Sequence, residues 1–362
     1  MTQEQPTLKE NAEVFLCSSC GTAMGWEPTT QKFRCPSCLN EEDLSDTANI
    51  NELPFTPDYI EKAKADWGLG RITVSCNSCG AEISVDENVT SVKCSYCNSP
   101  HVLTKRQEAG LPPEGVIPFG IDQKAANEIF SKWVKKRFFA PNKLKKLYHQ
   151  MQIDPVFLPY WTFDANTFTT WSAQGGKVYY VTVGHGENRR QERKVRWTSL
   201  HGKLDKFFND VLVNASGLQK NFISKIENYN TVVTKPYKPE YLAGIGTQHY
   251  SILPEEGFNV AQNKIELSLR NEITRNIKKS YDEVSFLNLN TNYSNVTFKH
   301  LLVPVYRTGF MYKDKLYSCI INGQTSKIAG EYPKSIIKIL LTIFIPILIC
   351  AAVYFITMYF TS

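Results

Sequence analysis

Two C-x2-C-x14-C-x2-C units, a closing run of 22 uncharged residues, and aromatic-rich stretches mixed with helical repeats between them predict the fold class. It is two small N-terminal zinc ribbons followed by a mixed α+β soluble domain and one C-terminal transmembrane helix. The 362 residues suffice for two or three domains, one with a sizeable core. With 20 Phe and 18 Tyr the composition leans towards strands.

The first unit, placed at residues 12–45, holds Cys17, Cys20, Cys35 and Cys38. The second, at 71–104, holds Cys76, Cys79, Cys94 and Cys97 at the same spacing, displaced by 59 residues. The copies share CSSCG with CNSCG and FRCPSC with VKCSYC. Each C-x2-C turn presents two sulfurs on one side of a tight loop, and a short hairpin brings the second pair back to complete a tetrahedron. Gly21 and Gly80 follow the first pairs, where an unusual backbone angle is easiest for glycine. Eight of the ten cysteines fall in these pairs, and a reducing cytosol keeps such thiols free. Two structural Zn2+ ions are the reading, ahead of disulfides or an iron–sulfur centre. With four cysteines in each set no open position is left for water, and His101 reads as a surface residue.

Charge argues against nucleic acid as the ribbons' partner. The whole chain is +6, but residues 1–105 carry 8 Lys and Arg against 15 Asp and Glu, a net of −7. Two tetrathiolate zinc sites take that region to −11 and the protein to +2 (each adds −4 and +2). Acidity is the wrong sign for a phosphate-binding module.

Residues 46–70 read as an acidic linker with a short helix from Asp58 to Trp67. Residues 105–150 read as a helical connector. Asp122 is placed as an N-cap, with Ala126, Ile129, Phe130, Trp133 and Val134 at helical spacing. Pro141 opens a second short helix bearing Leu144, Leu147 and Tyr148. Lys132, Lys135, Lys136, Arg137, Lys143, Lys145 and Lys146 make a basic surface: a solvated face, a contact for anionic lipid headgroups, or a nucleic-acid contact.

The mixed α+β domain spans 151–335. Pro155 to Trp171 reads as strand, and Val178–Val183 with Lys194–Leu200 as a hairpin joined by GHGENRRQER. That linker lacks the spacing of a phosphate loop, and His185 in it reads as a turn residue. Leu204, Phe207, Phe208, Val211 and Leu212 predict one helix, and Leu218, Phe222, Ile226 and Tyr229 another. Ile265, Leu269, Ile273 and Ile277 recur every four residues within a predicted helix at 257–279. Strands are expected at 296–308 and 310–321.

The closing run, Ile339 to Phe360, is about 33 Å long as a helix, against roughly 30 Å of hydrocarbon. Pro346 is compatible with a span. Lys327, Lys334 and Lys338 precede it with nothing basic beyond, which places the body in the cytoplasm, on a cell membrane crossed once. The polar opening MTQEQPTLKENAE carries no signal-peptide core.

LPYWTFDA (158–165), WTSLHG (197–202), FFNDVLVNAS (207–216), YKPEYLAGI (237–245) and the segment 301–335, together with the paired ribbons, carry a resemblance. The chain resembles a bacterial family of membrane-anchored double-zinc-ribbon proteins, often labelled primosomal or helicase-like. Its members are encoded with phage-shock-type and SPFH (flotillin-like) membrane proteins. The resemblance implies a non-enzymatic adaptor that brings an SPFH-type or other cytosolic partner to the membrane, in a membrane stress response. It also implies glycine after Thr325, where this chain has Ser326. The helicase label lacks its chemistry, since no G-x-x-x-x-G-K-[ST] occurs. Three other classes stay open: a membrane-tethered nucleic-acid binder, an enzyme whose polar groups converge only in the fold, and a purely structural or transport-accessory protein. Oligomeric state is undetermined, although Ala351 and Ala352 permit close helix packing.

Overall fold

The computed structural model describes residues 16–361 apart from 23, 44–49, 63–70, 76–81, 87–90, 94–99, 103–110, 143, 145–152, 217–219, 243, 244, 249 and 314. In chain order, β1 (Gly25–Glu27), β2 (Lys32–Arg34) and β3 (Glu41–Glu42) form a small antiparallel sheet. β4 (Leu53–Pro54) and α1 (Pro57–Lys62) follow; α1 covers the first part of the helix expected from Asp58 to Trp67, and the rest of that span lies outside the described residues. Next come the antiparallel pairs β5 (Arg71–Ser75) with β6 (Glu82–Asp86), and β7 (Ser91–Lys93) with β8 (Pro100–Val102). β9 (Gly115–Val116) leads to α2 (Gln123–Lys135), whose N-cap Asp122 accepts from the Ala125 N–H at 2.6 Å as its sequence suggests.

The body is organised by strands far longer than the usual five or six residues. β10 (Asp154–Val183) has 30 residues, about 100 Å of chain at strand rise. β11 (Arg190–Asn214) returns antiparallel along nearly its whole length. α3 (Lys220–Ile226), β12 (Lys235–Pro236) and β13 (Gly246–Thr247) pack at the base. α4 (Pro254–Ile277) then crosses the sheet, and β14 (Glu283–Tyr312), also 30 residues, lies on the other side of β10. β15 (Lys315–Asn322), β16 (Ile328–Gly330) and α5 (Ile336–Thr361) end the chain. The main sheet runs β12-β9-β14-β10-β13-β6-β5, with β11 also on β10 and with β4 and β15 also on β14.

The helix predicted from Leu204 to Leu212 is strand instead. Its apolar spacing fits a helix, but Leu200, Leu204 and Phe208 also share one face of a pleated strand, half-buried between exposed neighbours. The ladder to Thr169 and Ala165 on β10 decides between the two, and one sequence window does not contain that partner. The strands expected at 296–308 and 310–321 are present, the first within a strand that starts at Glu283.

Three register shifts bend this ribbon, and each places one residue in the left-handed region. Asp210 (φ 51°) faces the step at Phe163/Ala165, Asn295 (φ 49°) the step at Asp164/Asn166, and Phe286 (φ 50°) the step at Ser172/Gln174. An extra residue on one strand leaves the ladder and coils the sheet, which is the physics of a β-bulge. Asp164 pins the first, its carboxylate accepting the Asp210 N–H at 2.7 Å.

The periodic helix is where the sequence placed it, at Pro254–Ile277. Ala261, Ile265, Leu269, Ile273 and Ile277 are buried along one face. Its far end packs with Ala173, Trp171, Leu200, Leu204, Leu287 and Leu289. Gly202 lets the Trp171 indole lie against the sheet: a Cβ there would meet it at 2.4 Å. Helix rise makes α4 about 36 Å long, so β10 and β11 run on beyond it as a two-stranded hairpin with Tyr180 exposed.

Candidate metal centre and membrane-length helix

Cys17, Cys20, Cys35 and Cys38 come together within 4.8 Å of one another. Sγ–Sγ separations of 3.4 Å link Cys17 to Cys38, Cys20 to Cys35 and Cys20 to Cys38. A zinc ion bonded to four thiolates at about 2.3 Å gives edges of about 3.8 Å, so the set fits with a small expansion.

The two turns that deliver these sulfurs are built alike. Cys17 N–H donates to Thr22 O, and Gly21 N–H to Cys17 O, both at 2.9 Å. Cys35 N–H donates to Asn40 O at 2.9 Å, and Leu39 N–H to Cys35 O at 3.0 Å. Gly21 (φ 71°) and Leu39 (φ 63°) occupy equivalent left-handed positions. Glycine adopts that angle freely and leucine does not, so the metal turn stores strain at Leu39. The Thr22 hydroxyl and then its backbone N–H stabilise the Cys20 thiolate, pushing that thiol down to about 6. Glu42, absent from any motif, ties the turn to β3 by accepting from the Ser18 N–H (3.0 Å), the Ser18 hydroxyl (2.7 Å) and Asn40 Nδ2 (2.8 Å). The Ser18 bonds hold its carboxyl below the usual range.

This ribbon is fused to the body's core. Cys17, Met24, Phe33 and Cys35 are buried in one cluster with Phe119, Phe130 and Tyr241. Trp26 Nε1 and Gln31 Nε2 donate to Phe119 O at 3.1 and 2.9 Å. The ligand set Cys76, Cys79, Cys94 and Cys97 lies outside the described residues, as do Lys143, Lys145 and Lys146. Strands described on either side, β5, β6, β7 and β8, form the hairpins that bracket those pairs. Among the described residues one four-cysteine cluster is therefore seen, against the two zinc sites expected.

A second cluster of ligand-type side chains joins Glu52, Asp164 and Asp210. Its cation is already present: Lys299 Nζ lies 2.5 Å from Glu52 and 2.7 Å from Asp210. The arrangement is a partly exposed ion-pair network, beside buried Asp164, that ties Glu52 next to β4 and the β11 bulge to β14. Nearby, Glu114 accepts the His300 N–H at 2.5 Å, and burial pushes its carboxyl up to about 7.

α5 carries Leu340, Leu341, Ile343, Phe344, Ile347 and Leu348 exposed, and none of its first eighteen residues is buried in the protein. A core helix would be covered. Length and lack of cover are consistent with a single-pass membrane anchor. His185 stands at the hairpin tip beside the 3-10 turn Gly186–Asn188, and Arg193 is paired with Glu283.

No family model and no solved structure matches the chain. One curated relative does. The Bacillus subtilis protein described as uncharacterized protein YdjG is 26% identical over 323 residues, covering 89% of this chain and 90% of its own. These features make the chain a membrane-anchored protein in outline, with one thiolate site suited to zinc among the described residues.

Proposed function

We propose that the chain is a non-enzymatic, membrane-anchored adaptor that recruits a cytosolic partner to the bacterial membrane. The observation that carries this reading is the closed tetrathiolate set on the same chain as an uncovered apolar helix. Four thiolates fill a tetrahedron, so the metal would shape a surface and leave no open position for water or substrate. The second cysteine set holds a second structural Zn2+, on the strength of its identical spacing. Lys327, Lys334 and Lys338 orient the body to the cytoplasm. The family resemblance points to an SPFH (flotillin-like) protein as partner, with a phage-shock-type protein beside it, in membrane stress. An acidic ribbon region suits a partner with a basic surface.

A second reading, a zinc-ribbon nucleic-acid binder tethered to the membrane, draws on the hairpin end. Arg189, Arg190, Lys194 and Arg196 are exposed there beside Tyr180 and Trp197.

One experiment separates the two. The intact chain and a Cys17→Ser/Cys20→Ser variant are drawn from gently solubilised membranes, with nuclease and at low and moderate salt. Substitution is preferable to deleting 1–105, which would strip β4, β5 and β6 from the main sheet. A stoichiometric protein, lost with the thiols and indifferent to nuclease, is expected. Nucleic acid recovered alone and released by salt would replace the adaptor reading with the second.

A further inference from the structure

The first turn of α5 is clamped to the segment that follows α2. Lys338 Nζ donates to Phe138 O (3.2 Å), Ala140 O (2.7 Å) and Asn142 Oδ1 (2.8 Å). Ser335 N–H donates to Phe139 O at 2.8 Å. One turn earlier, the Arg137 guanidinium lies over Trp133 at 4.5 Å and over Tyr332 at 5.5 Å, while those rings meet edge-on. The segments 133–142 and 332–338 are therefore one fastened unit.

That clamp fixes a depth. Lys338 immediately precedes the uncharged run, so its ammonium marks the hydrocarbon boundary, and the carbonyls it binds lie at the same level. Phe138, whose carbonyl Lys338 binds, is 62% exposed, and Ile336 and Ile337, just before Lys338, are each 71% exposed. Lys132, Lys135 and Lys136 crowd the exposed side of the last turn of α2, and exposed Lys334 abuts Ser335. An apolar ring flanked by cations at that level matches an anionic lipid interface.

We infer that the α2 end, residues 132–142, is a second membrane contact, with Phe138 seated at the acyl boundary and the lysines against anionic phospholipid headgroups. The body is then held at a fixed attitude to the bilayer rather than swinging from a tether. This inference rests on α5 spanning the membrane and is independent of the adaptor's partner.

The test uses the full chain with a photoreactive benzoylphenylalanine at position 138, at 344 within α5, or at 286 on the far sheet. Each is reconstituted in vesicles of phosphatidylcholine and of equal parts phosphatidylcholine and phosphatidylglycerol. Lipid adducts are expected at 138 and 344 and not at 286. The yield at 138 should rise about threefold or more with phosphatidylglycerol, at about fivefold in surface affinity per cation, and Lys132→Gln/Lys135→Gln/Lys136→Gln should abolish that rise. An adduct at 344 with none at 138, or a 138 adduct indifferent to phosphatidylglycerol and to the lysines, overturns the inference. No adduct at 344 overturns the span and this inference with it, leaving partner recruitment to its own test.

Discussion

Leu39 and Ser326 hold left-handed backbone angles of 63° and 65° without being glycine. At 326 the resemblance implied glycine, and the observed angle explains why: the turn after Asn322 needs it whichever residue is present. A non-glycine residue pays about 1–2 kcal/mol there, partly offset by glycine's greater unfolded entropy. Leu39→Gly and Ser326→Gly should each stabilise the protein by about 0.5–1 kcal/mol, read as a raised thermal midpoint in detergent; unchanged or lower midpoints would show the strain is absorbed elsewhere. Glu114 gives a pH signature. With its carboxyl at about 7, the folded protein keeps a proton that the unfolded chain releases near the ordinary range. Its contribution to stability is therefore full below that range, falls as pH rises through 7, and is flat above. The fall is about 2–3 kcal/mol between pH 4.5 and 8. Glu114→Gln should flatten the pH profile of unfolding; a profile that keeps its slope places the titration on another group. Cys76→Ser should lower bound zinc from two ions per chain to one while the protein stays in the membrane fraction, since the anchor lies elsewhere. Metal analysis returning two ions would remove Cys76 from the ligand set.

Single elements depend on what they pack against. α4 was legible because its buried residues recur every four positions, and tertiary packing uses that face. Leu269, fully buried at its centre, should cost about 3 kcal/mol as Leu269→Ala, through lost transfer energy and the cavity left behind. A cost below about 1 kcal/mol, by denaturant titration, would mean the helix does not seal the sheet. β11 was misread between 204 and 212 because its apolar residues satisfy both periods, and the bulge at Asp210 shifts the strand alternation by one. Its neighbour β10, 35 to 50 residues earlier, settles the matter through hydrogen bonds. The bulges themselves carry no glycine signal; Asp210, Phe286 and Asn295 look ordinary in sequence.

Across the whole molecule, the first ribbon and the body share one core. Phe33 meets Trp26 edge-on and Tyr241 at a tilt, both at a ring separation of 5.4 Å, and Cys17 and Cys35 are buried with residues from α2 and β14. Metal removal should therefore reach beyond the ribbon. A strong chelator is expected to lower the unfolding midpoint of the sheet domain, monitored at its own tryptophans, and to leave α5 in the bilayer. A ribbon that melts alone, with the body unchanged, would show the shared core to be dispensable.

By itself the sequence determined the features at fixed spacings: the four cysteines that converge in the described ribbon, the membrane-length helix, the N-cap at Asp122 and the periodic face of α4. Each is encoded within one continuous stretch of about 25 residues or fewer, by valence, length or helical repeat. Tertiary structure alone decided the 30-residue strands, the bulges, the Lys299 network, and the clamp from Lys338 to residues 138–142. These depend on partners that stand up to almost 250 residues apart, as Glu52 and Lys299 do, and no local pattern records which groups will meet.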